Sequence, residues 1–132
     1  MDITFKTDSG IFNYRVCAMI LHEDKILAMQ DGRSLYFYLP GGRVSVGESA
    51  EDAAIREVRE ELGITAAIRR PLWLNQAFFT EDVSGQRYHE LCIYYLILKH
   101  KWSRQETEPN QWIIFDYHIC LFYSFHPYII RR

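Results

Sequence analysis

Along the first part of the chain, apolar residues fall in short runs separated by turn-forming residues, a pattern of strands. Ile3 to Phe5 reads as a short edge strand, followed by a turn at Asp8-Ser9-Gly10. Tyr14 to Leu21 is rich in β-formers, and His22-Glu23-Asp24 reads as a turn before Lys25 to Met29, so a hairpin is expected, ended by Asp31-Gly32. Tyr36 to Leu39 is a further strand that runs into Pro40-Gly41-Gly42. The period then changes. Ala54, Ile55, Val58 and Leu62 share one stripe at helical spacing, which predicts a helix from about Ala50 to Leu62. Ser49 suits its N-cap, with Asp52 three residues on, and Gly63 suits the position just past its end. Ile64 to Ile68, Leu72 to Thr80 and Tyr88 to Lys99 read as strands, with Glu81 to Gln86 turning between the last two. Strands arranged around one central helix predict an α/β fold.

The polar side of that helix carries the chemistry. At 100° per residue, Glu57, Glu60 and Glu61 fall within one narrow arc. Like charges at i,i+4, here Glu57 and Glu61, repel one another. A divalent cation with a preference for oxygen ligands would neutralise them. The plain alternative is a solvated face in which Arg56 and Glu60 make an ordinary i,i+4 pair. The whole segment from Gly42 to Ile64 separates the two. A chance match of its glycines, glutamates, arginine and aliphatics at fixed places is below about one in a million at ordinary residue abundance.

That segment runs Gly42, five residues, Glu48, seven residues, then Arg56-Glu57-Val58-Arg59-Glu60-Glu61-Leu62-Gly63-Ile64. It is the signature of the Nudix hydrolases and matches their pattern at every position, so the chain resembles that family. The resemblance covers roughly residues 12 to 116. It implies an α/β/α sandwich with a central mixed sheet and the Nudix loop-helix, as one domain over residues 1–132. It also implies Mg²⁺-dependent hydrolysis of a pyrophosphate bond in a nucleoside diphosphate linked to another moiety, with Mn²⁺ able to substitute. By the same resemblance Glu57, Glu60 and Glu61 are the metal ligands, and the Gly41 carbonyl is an extra one. Arg56 joins the catalytic set by orienting the glutamates, and Glu48 braces the loop. The family's general base is often a helix glutamate or one from a later loop, which here points to Glu106, with Glu108 and Glu57 as alternatives. A nucleotide-sensing domain without catalysis is the competing reading, and a metal-free interaction module is a third.

Substrate contacts are expected at Gly41 and Gly42, where the absence of a Cβ lets a phosphate or metal approach the backbone. Arg33, Arg43 and Arg87 could reach phosphates, and Tyr36, Tyr38, Phe78, Phe79 and Tyr88 could stack on a base. The same aromatics also suit a core. Marks of particular subfamilies are missing: Phe79 stands where ADP-ribose pyrophosphatases tend to carry Pro. Thr80, Glu81 and Asp82 stand where diadenosine polyphosphate hydrolases tend to carry Tyr.

Composition adds bounds. The 132 residues suit a single core, and a net charge of −2 gives no footprint for a nucleic-acid polymer. The start of the chain lacks the apolar run of a signal peptide. Cys17 and Cys92 lie within apolar runs as small hydrophobes, and no cysteine or histidine spacing suggests zinc or disulfides, so a reducing cytoplasm fits. Trp112 to Asp116 suits a late strand. Tyr117 to Ile130 is nearly all apolar and too short for a transmembrane span. A buried terminal helix, a homodimer contact and a divergent tail are the three readings of it.

Overall fold

The computed structural model describes residues 1–22, 25–29, 36–99, 112–116 and 130–131. In chain order the strands are β1 (Thr4–Thr7), β2 (Gly10–His22), β3 (Lys25–Met29), β4 (Tyr36–Phe37) and β5 (Gly41–Arg43). Helix α1 (Ala50–Leu62) follows, then β6 (Ala66–Thr80), β7 (Arg87–Lys99), β8 (Trp112–Asp116) and β9 (Ile130–Arg131).

β2 is the spine of a seven-stranded mixed sheet ordered β6-β7-β2-β3-β8, with β1 and β5 also paired to β2. One edge of β2 runs parallel to β7 from Ile11↔Tyr88 to Ile20↔Ile97. Its other edge is shared in turn by β1, β5 and β3, all antiparallel. This is why β2 reads as an almost unbroken β-forming run: both its edges are paired, and its middle, Val16 to Ala18, is buried on both faces. β4 and β9 form a separate two-stranded sheet, with Tyr36 opposite Arg131.

The helix begins and ends where its residues predict. The Ser49 hydroxyl accepts the Asp52 N–H at 3.1 Å, and Gly63 takes the left-handed conformation, φ 67°, that a side chain would disfavour. Small residues line its inner face. Ala50, Ala53, Ala54 and Val58 are buried against Val16, Ala18, Ile20, Val44, Tyr95 and Ile97 of the sheet and the β5 end, with Leu62 at the margin. Three alanines in that face let the helix pack close to the strands, and Glu57 and Glu61 reach the β5 backbone. The opposite face of the sheet buries Cys17, Cys92 and Tyr94. Both thiols are free and fully buried, as their apolar runs predict.

Three expectations change. Ile64–Ile68 and Leu72–Thr80 are one strand, β6, because register shifts at Ile68/Arg70 and Pro71/Trp73 absorb the proline without breaking the ladder with β7. The strand expected over Tyr36–Leu39 is only two residues long, and Tyr38 makes an isolated bridge to Met29. The first strand lies one to two residues later than Ile3–Phe5. Among the described residues there is one helix, hence one helical layer on the sheet. The readings of Asp31-Gly32 and of 117–129 fall outside the described residues.

Candidate active site

The end of β5 and the exposed side of α1 meet over β2. Gly41 and Gly42 pair with Cys17 and Val16, which fixes the loop backbone beneath the helix. The Gly41 N–H donates to Glu61 Oε2 at 3.0 Å. A Cβ on Gly42 would collide with the Glu57 carboxylate, so the missing side chain is what lets that carboxylate lie on the backbone. The glycines therefore admit protein carboxylates to the loop, a closer fit than a simple turn requires.

Arg56 ties this arrangement together. Its Nε donates to Glu48 Oε1 at 2.7 Å and its Nη2 to Glu48 Oε2 at 3.0 Å, a bidentate pair. Nη2 also donates to the Arg43 carbonyl at 3.0 Å, while Nη1 donates to Glu57 Oε1 at 2.7 Å and Glu60 Oε2 at 3.3 Å. Glu48 in turn accepts the Ser45 N–H at 3.0 Å. One guanidinium thus joins the loop to two of the three glutamates. The Arg56 hydrogen bond holds the Glu48 carboxyl below its ordinary range, and Glu48 first, then Glu57, pushes the guanidinium further up.

Glu61 behaves differently. Burial raises its carboxyl to about 7, and the charges of Glu57 and Glu60 add to the rise. The Gly41 N–H and the charge of Arg15 oppose it. A half-buried carboxylate pressed by two others is a group that a cation would stabilise. Among the described residues no three His, Cys, Asp or Glu side chains converge as a ready cage. Arg56 stands between Glu57 and Glu60, and Gly41 holds Glu61. The donor chemistry nevertheless suits a hard divalent ion: carboxylate oxygens low on a glycine backbone, one of them half-buried.

The other expected residues are placed as follows. Arg43 is in β5, where its carbonyl serves Arg56 and its side chain lies 3.5 Å from Asp2. Arg33, Glu106 and Glu108 lie outside the described residues. Phe78, Phe79 and Tyr88 are not at the glutamate cluster. They line a groove of about 600 Å³ with Phe5, Phe12 and His89. Phe12 precedes Val16 by four strand residues, so the groove's Phe12 row is about 13 Å along β2 from Gly42.

Sequence motifs did not mark Asn13, Arg15 and Glu90. Asn13 and Glu90 are buried and directly opposed on β2 and β7, with Asn13 Nδ2 3.4 Å from Glu90 Oε2. Arg15 Nε is 3.9 Å from the same oxygen. The alternation of β7 was the available signal, because it puts Glu90 on the face of buried Cys92 and Tyr94.

Comparison with known proteins gives the class. A NUDIX domain model matches residues 12–121. The chain therefore belongs to the Nudix hydrolase family, whose members generally use divalent metal ions and act on small nucleotide substrates. It is 31% identical over 106 residues to the nucleoside triphosphatase NudI of Escherichia fergusonii, covering 73% of each chain. It is 48% identical over 42 residues to the uncharacterized Nudix hydrolase YvcI of Bacillus subtilis, covering 32% of this chain and 27% of that protein. The crystal structure of a MutT NUDIX hydrolase from Burkholderia pseudomallei superposes with a TM-score of 0.55 at 26% identity, over 80% of this chain and 83% of that one. In four curated relatives the match spans only about a quarter of the relative's own length.

Proposed function

We propose that this protein hydrolyses a pyrophosphate bond in a nucleoside diphosphate linked to another moiety, with Mg²⁺ as the working metal and Mn²⁺ able to replace it. The observation that carries this reading is the seating of Glu57 against the Gly42 backbone beside half-buried Glu61, with Arg56 spanning Glu48, Glu57 and Glu60. Glu57, Glu60 and Glu61 would hold the metal, and the Gly41 carbonyl would complete the set. A bound divalent ion supplies charge neutralisation and an acidified water for in-line attack on phosphorus.

The remaining work belongs to the protein's own groups. Arg56 aims Glu57 and Glu60 and keeps the loop from drifting off the helix, and Glu48 fixes Arg56. The Gly41 amide sets the rotamer of Glu61. Arg43 and Arg33 are the candidates for phosphate contacts, and Glu106 is the candidate base. The likeness to NudI makes nucleoside triphosphates the first substrates to try, before nucleotide sugars. Residues 1–132 act as one domain in this reading. Free buried thiols suit the cytoplasm, and among the described residues no helix is long and apolar enough to cross a membrane.

The test is release of phosphate or pyrophosphate from a nucleotide panel with Mg²⁺, with Mn²⁺ and with chelator. The panel spans nucleoside triphosphates, oxidised triphosphates, ADP-ribose, nucleotide sugars and dinucleoside polyphosphates. Metal-dependent turnover of one class, lost in Glu60→Gln, is the expected result. Tight nucleotide binding with no turnover of any member would replace the enzyme with the sensor.

A further inference from the structure

β6 is the first strand of the sheet, and among the described residues it pairs only with β7. It is fifteen residues long. Natural edge strands are usually short, charged or covered, because an open ladder of N–H and C=O groups recruits another chain. The proline and the register shifts of β6 lie no later than Pro71/Trp73, and from Trp73 to Thr80 it carries no charge and pairs with nothing else among the described residues. The ten residues from Pro71 to Thr80 contain no charge. Leu74 is 62% exposed and Phe78 69% exposed, and Trp73 and Phe79 are exposed on the other face. Trp73 and Phe79 each stack on a β7 tyrosine, at ring-centroid distances of 4.8 and 5.1 Å.

The ends of the strand carry opposite charges. Arg69 and Arg70 precede the uncharged stretch, and Glu81 and Asp82 follow it. All four are exposed. A strand with this layout is complementary to itself when reversed. We propose that β6 is a homodimer edge, on which a second copy of this chain adds its own β6 antiparallel about a two-fold axis at Gln76.

In that register Leu74 stands opposite Phe78 of the second copy on one face. Trp73 stands opposite Phe79 of the second copy on the other. Such apolar cross-strand pairs stabilise an antiparallel ladder. The Arg69–Arg70 end of each copy lies beside the Glu81–Asp82 end of the other, twice over by symmetry. A two-fold pairing closes on itself, so it gives a dimer and not a fibre.

Sedimentation of the full chain between about 1 and 100 µM, the range in which a modest interface shows its dissociation constant, tests this. The expected result is a dimer that Leu74→Lys/Phe78→Lys converts to monomer. Arg69→Glu/Arg70→Glu weakens it at least about tenfold, as does Glu81→Lys/Asp82→Lys, and the four changes together restore it. Gln76→Cys should also cross-link to itself on mild oxidation, where the wild type does not. A wild-type monomer across the range overturns the proposal. So does a dimer indifferent to Leu74→Lys/Phe78→Lys, a four-fold variant that fails to recover, or no cross-link at Gln76→Cys.

Discussion

A methyl group on Gly42 would take the space that the Glu57 carboxylate fills. Gly42→Ala is therefore expected to swing Glu57 off the loop while the helix stays folded, lowering turnover by on the order of 100-fold. Steady-state kinetics beside an unchanged far-ultraviolet spectrum would check it, and near-wild-type turnover would mean that Glu57 need not lie there. Glu61 makes a second prediction through its pH dependence. Its folded carboxyl titrates at about 7 against an ordinary 4.5, so between those values the folded chain holds the proton more tightly than the unfolded one. Stability of the metal-free protein then falls as pH rises through that window, by about 2 kcal/mol once solvent screening is allowed for. Denaturant melts from pH 4.5 to 7 should show that slope in the wild type and lose it in Glu61→Gln. Added Mg²⁺ should offset the loss at the upper end, because the ion favours the ionised form.

At the scale of elements, α1 depends on its first turn. The Ser49 hydroxyl is the acceptor for the Asp52 N–H, so Ser49→Ala should destabilise the fold by about 1 kcal/mol, read as a shift in the urea midpoint. No shift would mean that another group caps the helix. The helix is also the element most legible in the sequence. Its cap, its alanine-rich inner stripe and Gly63 are local signals, and local signals survive folding. The carboxylate arc was equally legible, since Glu57, Glu60 and Glu61 are neighbours on one helix. β6 was not, because the proline that ends a strand in sequence reads as an absorbed bulge once β7 lies alongside. Asn13 and Glu90 were missed for the same reason. They are 77 residues apart, and only the parallel pairing of β2 with β7 makes them partners.

At the scale of the molecule, the sheet keeps three regions apart. β2 and β5 carry the glycine backbone that receives the helix carboxylates. The Phe5–Phe12–His89–Phe78 row lies at the far end of the same sheet, with Phe5 stacked on Phe12 at 5.0 Å and Phe78 4.4 Å from His89. Of the aromatic residues expected to stack on a base, Phe78, Phe79 and Tyr88 thus sit away from the glutamates, a separation visible only in the assembled sheet. β6 forms the outer edge. In the proposed function, Glu57, Glu60 and Glu61 hold a divalent ion that hydrolysis requires. The most direct test is the rate of nucleotide hydrolysis against Mg²⁺ concentration for the wild type, Glu57→Gln and Glu61→Gln. Saturable activation is expected in the wild type, with no activity in chelator, and a fall of at least about 100-fold in either variant, with more Mg²⁺ needed for what remains. Equal rates with and without Mg²⁺, or variants that match the wild type, would contradict it.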